Sequence, residues 1–298
     1  MPQVQANGIT LEYESLGAAD APPLLLIMGL GAQMTRWPLP LREALVRRGF
    51  RVVSFDNRDV GLSEKFDAAG LPDMPAVIQA LMSGQPAPVA YTLTEMAADA
   101  VGLLDALGIA KAHIVGASMG GMIAQLVAAD YPDRVLSLTS IMSTTGNRAL
   151  PPATPEAMAV LSVRGPDPHE DLEGFLDHAV ASGRVIGSPA YPVDPAVARE
   201  QALATFKRSH YPAGFQRQYA AVVASPDRRP KLTGIKVPTL VVHGDADPLV
   251  PVAGGRDTAQ SIPGAQLKVI PGMGHDLPAA LHEELADAIS QVAGGAGR

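Results

Sequence analysis

The chain has 298 residues, of which 47% are hydrophobic and 18% charged, a formal net charge of −7 and no cysteine. Such a composition is globular with ample material for a core, and the acidic balance without a Lys/Arg cluster argues against a nucleic-acid partner. The missing thiols exclude disulfides, thiolate nucleophiles and Cys-ligated metal centres.

The N-terminus is polar and carries no basic-then-apolar leader, and no apolar run approaches the ~20 residues that span a bilayer. A cytoplasmic location without a membrane partner is therefore the expectation. Val4 to Asn7 and Ile9 to Glu14 flank Gly8 and read as a strand hairpin. Leu24 to Met28 is a continuous apolar run, typical of a strand buried on both faces. Trp37 to Arg48 has helical spacing and Arg51 to Asp56 is the next strand. A smaller insertion is expected over 66–91, with a helix at 74–83, leaving the sheet close to where a site would sit. Thr92 and Glu95 form a capping box that opens a helix ending at Gly108. A short strand at His113 to Val115, a helix over 119–130 and a strand at Val135 to Ile141 follow.

From about 146 the character changes. Eight prolines between 151 and 195 break up helical patterns at 156–163, 169–181, 196–208 and 213–224, and no sheet-type strand is read between 143 and 236. This pattern predicts a helical cap over 146–232, inserted into a core of 1–145 and 233–298. Arg228-Arg229-Pro230-Lys231 reads as a solvated linker. Strands resume at Val237 to His243 and Leu267 to Ile270; a helix over Leu281 to Val292 closes the chain, and the tail from Gly294 is expected to fray. Strands alternating with helices imply an α/β fold, with a mostly parallel sheet covered on both faces.

The chemistry is concentrated in three places. Ile114 to Met122 runs from a strand through Gly-Ala-Ser-Met-Gly into a helix, the nucleophile elbow that pushes a serine hydroxyl above the sheet; Ser118 is the candidate nucleophile. A serine needs a base within hydrogen-bond reach, and His275, on the Gly-rich loop after the last strand, is the best placed of seven histidines. His113 begins the elbow strand at the end away from the site and His243 ends a strand. His169, His178, His210 and His282 sit in helical, charged surroundings and are expected to face solvent. For the orienting acid, Asp247 precedes a proline that fixes its backbone, whereas Asp245 is expected to tie the turn through its own backbone amides. The order Ser118, Asp247, His275 is that of α/β-hydrolases. Oxyanion donors are expected from the backbone N–H groups of Met119 and Leu30. No metal or cofactor motif is read.

On these residues the chain resembles the α/β-hydrolase superfamily, whose fold has an eight-stranded-type sheet, and within it the esterases related to the aclacinomycin (anthracycline) methylesterases. The likeness rests on Leu24 to Gly29, Asp56-Asn57-Arg58-Asp59-Val60-Gly61-Leu62-Ser63, Val115 to Gly121, His243 to Pro248 and Pro271 to His275. It implies that Asp247 is the acid, and that Arg58 and Asp59 are structural rather than chemical, a surface ion pair being the plainer alternative. The strand before the oxyanion loop usually ends His-Gly in the superfamily and here ends Met28-Gly29, so the loop must be supported differently. Dehalogenases and epoxide hydrolases of this fold carry aspartate at the elbow, and dienelactone hydrolases cysteine; serine points instead to ester hydrolysis. C–C bond hydrolysis, lactone opening, cofactor-free perhydrolysis and a non-catalytic receptor are the alternatives. The expected partner is a small-molecule ester with modest apolar parts, methyl esters of larger natural products included. Its pocket is expected to be lined from Met158, Leu161, Phe175, Phe206, Phe215 and Tyr219; monomer and homodimer are both compatible with the sequence.

Overall fold

Leu24 and Leu26 belong to one hydrophobic cluster and Leu25 and Ile27 to another, which is what a fully buried strand between two helical layers requires. The computed structural model describes residues 2–294. Among the described residues eight strands make one sheet: β1 (Gln3–Ala6), β2 (Ile9–Leu16), β3 (Pro23–Ile27), β4 (Arg51–Phe55), β5 (Ala112–Ala117), β6 (Val135–Ile141), β7 (Thr239–Gly244) and β8 (Gln266–Ile270). Their spatial order is β1-β2-β4-β3-β5-β6-β7-β8. The first hairpin and the β2–β4 pair are antiparallel, and all later pairs are parallel.

Helices α1 (Leu39–Arg47) and α11 (His282–Gly294), the last at the C-terminus, pack together on the face of Leu24, Leu26, Val52, Val115 and Val242. The other face carries α3 (Leu93–Ala106) and α4 (Met119–Asp130) against Leu25, Ile27, Val53, Ile114 and Leu138. The capping box of α3 is made, with the Thr92 N–H donating to Glu95 Oε2 at 2.9 Å. The helix expected from Trp37 instead begins at Leu39: Met34–Arg36 form a 3₁₀ turn, and Trp37 and Pro38 separate it from α1. The 66–91 segment carries the expected helix as α2 (Met74–Met82), which packs on α8 (Pro212–Ala224).

Between β6 and β7 lie α5 (Pro155–Ser162), α6 (Leu172–Ile186), α7 (Pro195–Arg208), α8 and the short α9 (Arg229–Leu232), with no strand. Three of the prolines there start helices rather than interrupt them. Pro155, Pro195 and Pro212 occupy the first helical position, where a missing N–H costs nothing, and Thr154 and Asp194 cap two of those helices. In the stretch 228–231, Arg229, Pro230 and Lys231 are exposed as expected, though they form α9 rather than a linker, and Arg228 is not solvated. Arg228 is 1% exposed and reaches Gln125, Ser225 and the Thr144 carbonyl from inside the molecule. Helix α10 (Ala253–Ser261) was not read from the sequence, because Gly254 and Gly255 stand in its first turn. The expectation for 295–298 lies outside the described residues, and Gly294 is still helical. No described helix is long and apolar enough to cross a membrane.

His113 is buried at the start of β5, its Nδ1 2.8 Å from Ser137 Oγ and its ring edge-on to Phe50. Burial pushes the imidazole down to about 4. An unfolded histidine takes a proton near 6.5, so folding stability is full above that pH and is lost as pH falls toward 4. The expected loss is roughly 3 kcal/mol across this window. Urea denaturation of wild type and His113→Gln from pH 7 to 4 should give difference curves that flatten in the variant.

Candidate active site

Ser118 joins β5 to α4 at φ 56° and ψ −121°, a conformation costly for any residue with a Cβ. Neighbours enforce it. A Cβ on Gly116 would collide with the Gly120 carbonyl, and one on Gly120 would collide with the Ile27 carbonyl of β3. The Ser118 N–H donates to the Ile141 carbonyl at 2.9 Å, and Ser143 Oγ donates to the Ser118 carbonyl at 2.8 Å. The side chain is left half-exposed at the N-terminus of α4.

His275 Nε2 lies 2.9 Å from Ser118 Oγ, and its Nδ1 lies 2.7 Å from Asp247 Oδ2. The three residues are thus brought together in one hydrogen-bonded row, and the geometry can carry a proton from the hydroxyl to an imidazole held in one tautomer. Asp247 Oδ1 accepts from the Leu249 and Val250 N–H groups, each at 2.9 Å. Burial would raise the Asp247 carboxyl, but the His275 charge and the surrounding donors outweigh it and hold the acid at about 2. The turn is therefore tied by Asp247 itself. Asp245, expected to do this, instead accepts from the Gly272 N–H at 2.6 Å and links the acid turn to the histidine loop. His243 is wholly buried, with Nε2 2.7 Å from the Val250 carbonyl. Of the histidines expected to face solvent, His169 and His210 are exposed and His178 is half-buried. His282 is 8% exposed, with Nε2 3.1 Å from the Leu277 carbonyl, because it opens α11 against the core.

The Gly29–Leu30 loop abuts the serine: a Cβ on Gly29 would lie 3.1 Å from Ser118 Cβ. Met119 N–H, the first amide of α4, has no acceptor inside the helix. Leu30 and Met119 therefore flank Ser118 from two sides. Phe215 packs on the same loop and stacks on Tyr219 with centroids 6.4 Å apart, whereas Phe175 and Phe206 contact each other and His210, and Phe206 also meets His169. Met158 is 39% exposed and Leu161 half-buried, both on α5. Among the described residues, no cluster of three or more His, Cys, Asp or Glu is placed to hold a metal ion.

Several supports went unread in the sequence. Asn57 Nδ2 donates to the Met28 carbonyl at 2.9 Å and Asp56 Oδ1 accepts from the Met34 N–H at 2.7 Å, so the 56–63 motif braces the loop beside the serine. Arg58 and Asp59 do not pair with each other at the surface. Arg58 is buried against Asp99 and lies over the rings of Phe66 and Tyr91; Asp59 is buried in a two-pronged pair with Arg217 of α8. On the other side, the His275 N–H donates to the Ile186 carbonyl at 2.7 Å, and Ser188 Oγ accepts from the Gly274 N–H at 2.8 Å while donating to Asp276.

A family model described as the alpha/beta hydrolase fold matches residues 22–178 and 187–278. The chain belongs to that family. This α/β-hydrolase is 30% identical over 300 residues to a rhodomycin D methylesterase of Streptomyces peucetius, covering 94% of each chain. A rhodomycin D methylesterase of Streptomyces sp. strain C5 is likewise 30% identical, over 96% of this chain and 95% of that one. Among solved structures, a thermophilic esterase of Thermogutta terrifontis superposes with a TM-score of 0.70 at 25% identity, over 100% of this hydrolase and 99% of the esterase. A meta-cleavage product hydrolase of Pseudomonas fluorescens gives 0.78 at 19% identity, over 99% and 98%, a likeness of fold.

Burial would raise the Asp59 carboxyl, and the Arg217, Phe66 and Tyr91 donors outweigh it and hold it below the usual carboxylate range. Arg217→Met strands that charge and should cost about 3 kcal/mol in urea unfolding. The double variant Asp59→Asn/Arg217→Met, with no charge to strand, should recover part of the loss.

Proposed function

We propose that this chain is a serine carboxylic ester hydrolase acting through an acyl-enzyme. The observation that carries the reading is the hydrogen-bonded row from Ser118 Oγ through His275 to Asp247, at 2.9 and 2.7 Å. In the first half-reaction Ser118 Oγ attacks the ester carbonyl while His275 Nε2 takes its proton, and the tetrahedral oxyanion is met by the Leu30 and Met119 amides. Collapse expels the alcohol, protonated by His275. In the second half-reaction His275 takes a proton from water, the hydroxide attacks the acyl carbon, and Ser118 leaves with the proton returned. Asp247 keeps Nδ1 protonated and stabilises the imidazolium without itself taking the proton.

The 146–232 insertion is the cap over this site, and its Phe215 packs on Gly31 of the loop beside the serine. The partner is a small-molecule ester. The two methylesterase relatives support an ester with a small alcohol on a larger acid, so methyl esters of polycyclic acids belong on the test panel beside p-nitrophenyl acetate and butyrate.

Wild type should hydrolyse members of this panel and take a fluorophosphonate label on the peptide containing Ser118. Ser118→Ala should lose both, and Asp247→Asn should lower kcat by roughly 10⁴-fold through the wrong histidine tautomer. Wild type that is inert to the whole panel and to the label would overturn the proposal; turnover of a vinylogous ring-fission product without ester turnover would favour C–C hydrolysis instead.

A further inference from the structure

The loop that carries the Leu30 amide leaves β3 through Met28-Gly29, and the fold supports it from a distant part of the chain. Gln218, on α8, is fully buried. Its Oε1 accepts from the Gly31 N–H at 2.7 Å, and its Nε2 donates to the Arg58 carbonyl at 2.7 Å. One amide therefore spans the oxyanion loop and the 56–63 motif, and only one of its two flip states satisfies both ends. One turn earlier on the same helix, the Phe215 ring presses on Gly31, where a Cβ would lie 2.5 Å from Cδ2. Helix α8 is itself pinned by the Arg217–Asp59 pair, with bonds of 2.7 and 2.8 Å.

The direction of the Leu30 N–H follows from these ties. The Gly29 carbonyl is taken by the Ala32 N–H at 3.2 Å. Across a trans peptide the carbonyl and the next N–H point opposite ways, so the Leu30 N–H is turned out of that turn. The following peptide is the one Gln218 holds through Gly31. We propose that Gln218 is a positioning residue that aims the Leu30 amide of the oxyanion hole, coupling the insertion to the transition state. The inference rests on the ester-hydrolase reading above.

A donor that is aimed rather than present acts mainly when charge develops, so its loss should lower kcat and leave KM within about twofold. Gln218→Met keeps the volume and removes both bonds. It should slow ester turnover and fluorophosphonate labelling of Ser118 by about 10- to 100-fold. It should also weaken, by a similar factor, inhibition by a trifluoromethyl ketone, whose serine adduct places an oxyanion in the hole. Gln218→Glu is the second variant: its protonated form regains both bonds, whereas its carboxylate faces the Arg58 carbonyl, so its kcat relative to wild type should rise as pH falls. A folded Gln218→Met with wild-type kcat and ketone affinity, or with a loss confined to KM, overturns the proposal. If that variant does not fold, a Gln218→Glu ratio flat with pH overturns it. Wild type that takes no label overturns the hydrolytic mechanism, and this inference with it.

Discussion

Helix α4 leaves β5 through one residue, and the packing of that helix against β3 decides where everything else must stand. The approach is so close that the Gly120 backbone meets the Ile27 carbonyl with no room for a Cβ. Ser118 absorbs the resulting turn at φ 56°, a cost of order 1–3 kcal/mol for a residue with a Cβ. That cost is offset by the buried α4–β3 contact and by the bonds that Ile141 and Ser143 make to the serine backbone. The strain is therefore local to Ser118, and it leaves the hydroxyl at a helix N-terminus beside amides that have no acceptor within the helix.

Charge burial around this turn follows a consistent pattern. Asp56, Asp59 and Asp99 are all nearly inaccessible, and each faces an arginine from another part of the chain: Arg208, Arg217 and Arg58. Replacing a buried pair by apolar groups is often neutral for stability, whereas removing one partner is expensive. Two of these pairs tie the end of α7 and the middle of α8 to the 56–63 segment, so shifting either helix away from that segment would leave a buried carboxylate without its arginine. Lys65 and the Tyr211 ring extend the same rim, with Tyr211 also bonded to Arg217.

The sequence made the sheet, the elbow and the hydrogen-bonded row of Ser118, His275 and Asp247 legible because each has a local signature: apolar runs, glycines at fixed offsets, an Asp before a proline, a Gly-rich histidine loop. What it hid depends on distant partners. Helix α10 contradicts its own propensity, since Gly254 and Gly255 disfavour a helix, yet a Cβ at 255 would lie 2.5 Å from His243 Nδ1. Packing against β7 overrode the local preference. Arg228 was read as solvated because charged runs usually are, and nothing nearby in sequence shows that Gln125 and the Thr144 carbonyl await it. Gln218 had no signature at all; its partners Gly31 and Arg58 stand 187 and 160 residues away.

The helical segment between β6 and β7 reaches both sides of Ser118. Its Ile186 carbonyl holds the His275 N–H, its Ser188 joins Gly274 to Asp276, its Ala190 N–H reaches the Gly272 carbonyl, and its α8 grips the loop on the opposite side of the serine. Displacing residues 186–190 would drag the His275 loop, and displacing 214–218 would drag the Gly29–Gly31 loop. Those two stretches are bound to the geometry of the core, and so is the N-cap of α5, where the Thr154 N–H donates to the Pro248 carbonyl at 2.9 Å beside Asp247, while the outward faces of α5, α6 and α7 carry exposed residues such as Met158, Val185 and Val197. Those outward faces can change without disturbing the buried bonds that hold Ser118, His275 and Asp247, because function on a shared fold resides in local surfaces while the scaffold stays rigid.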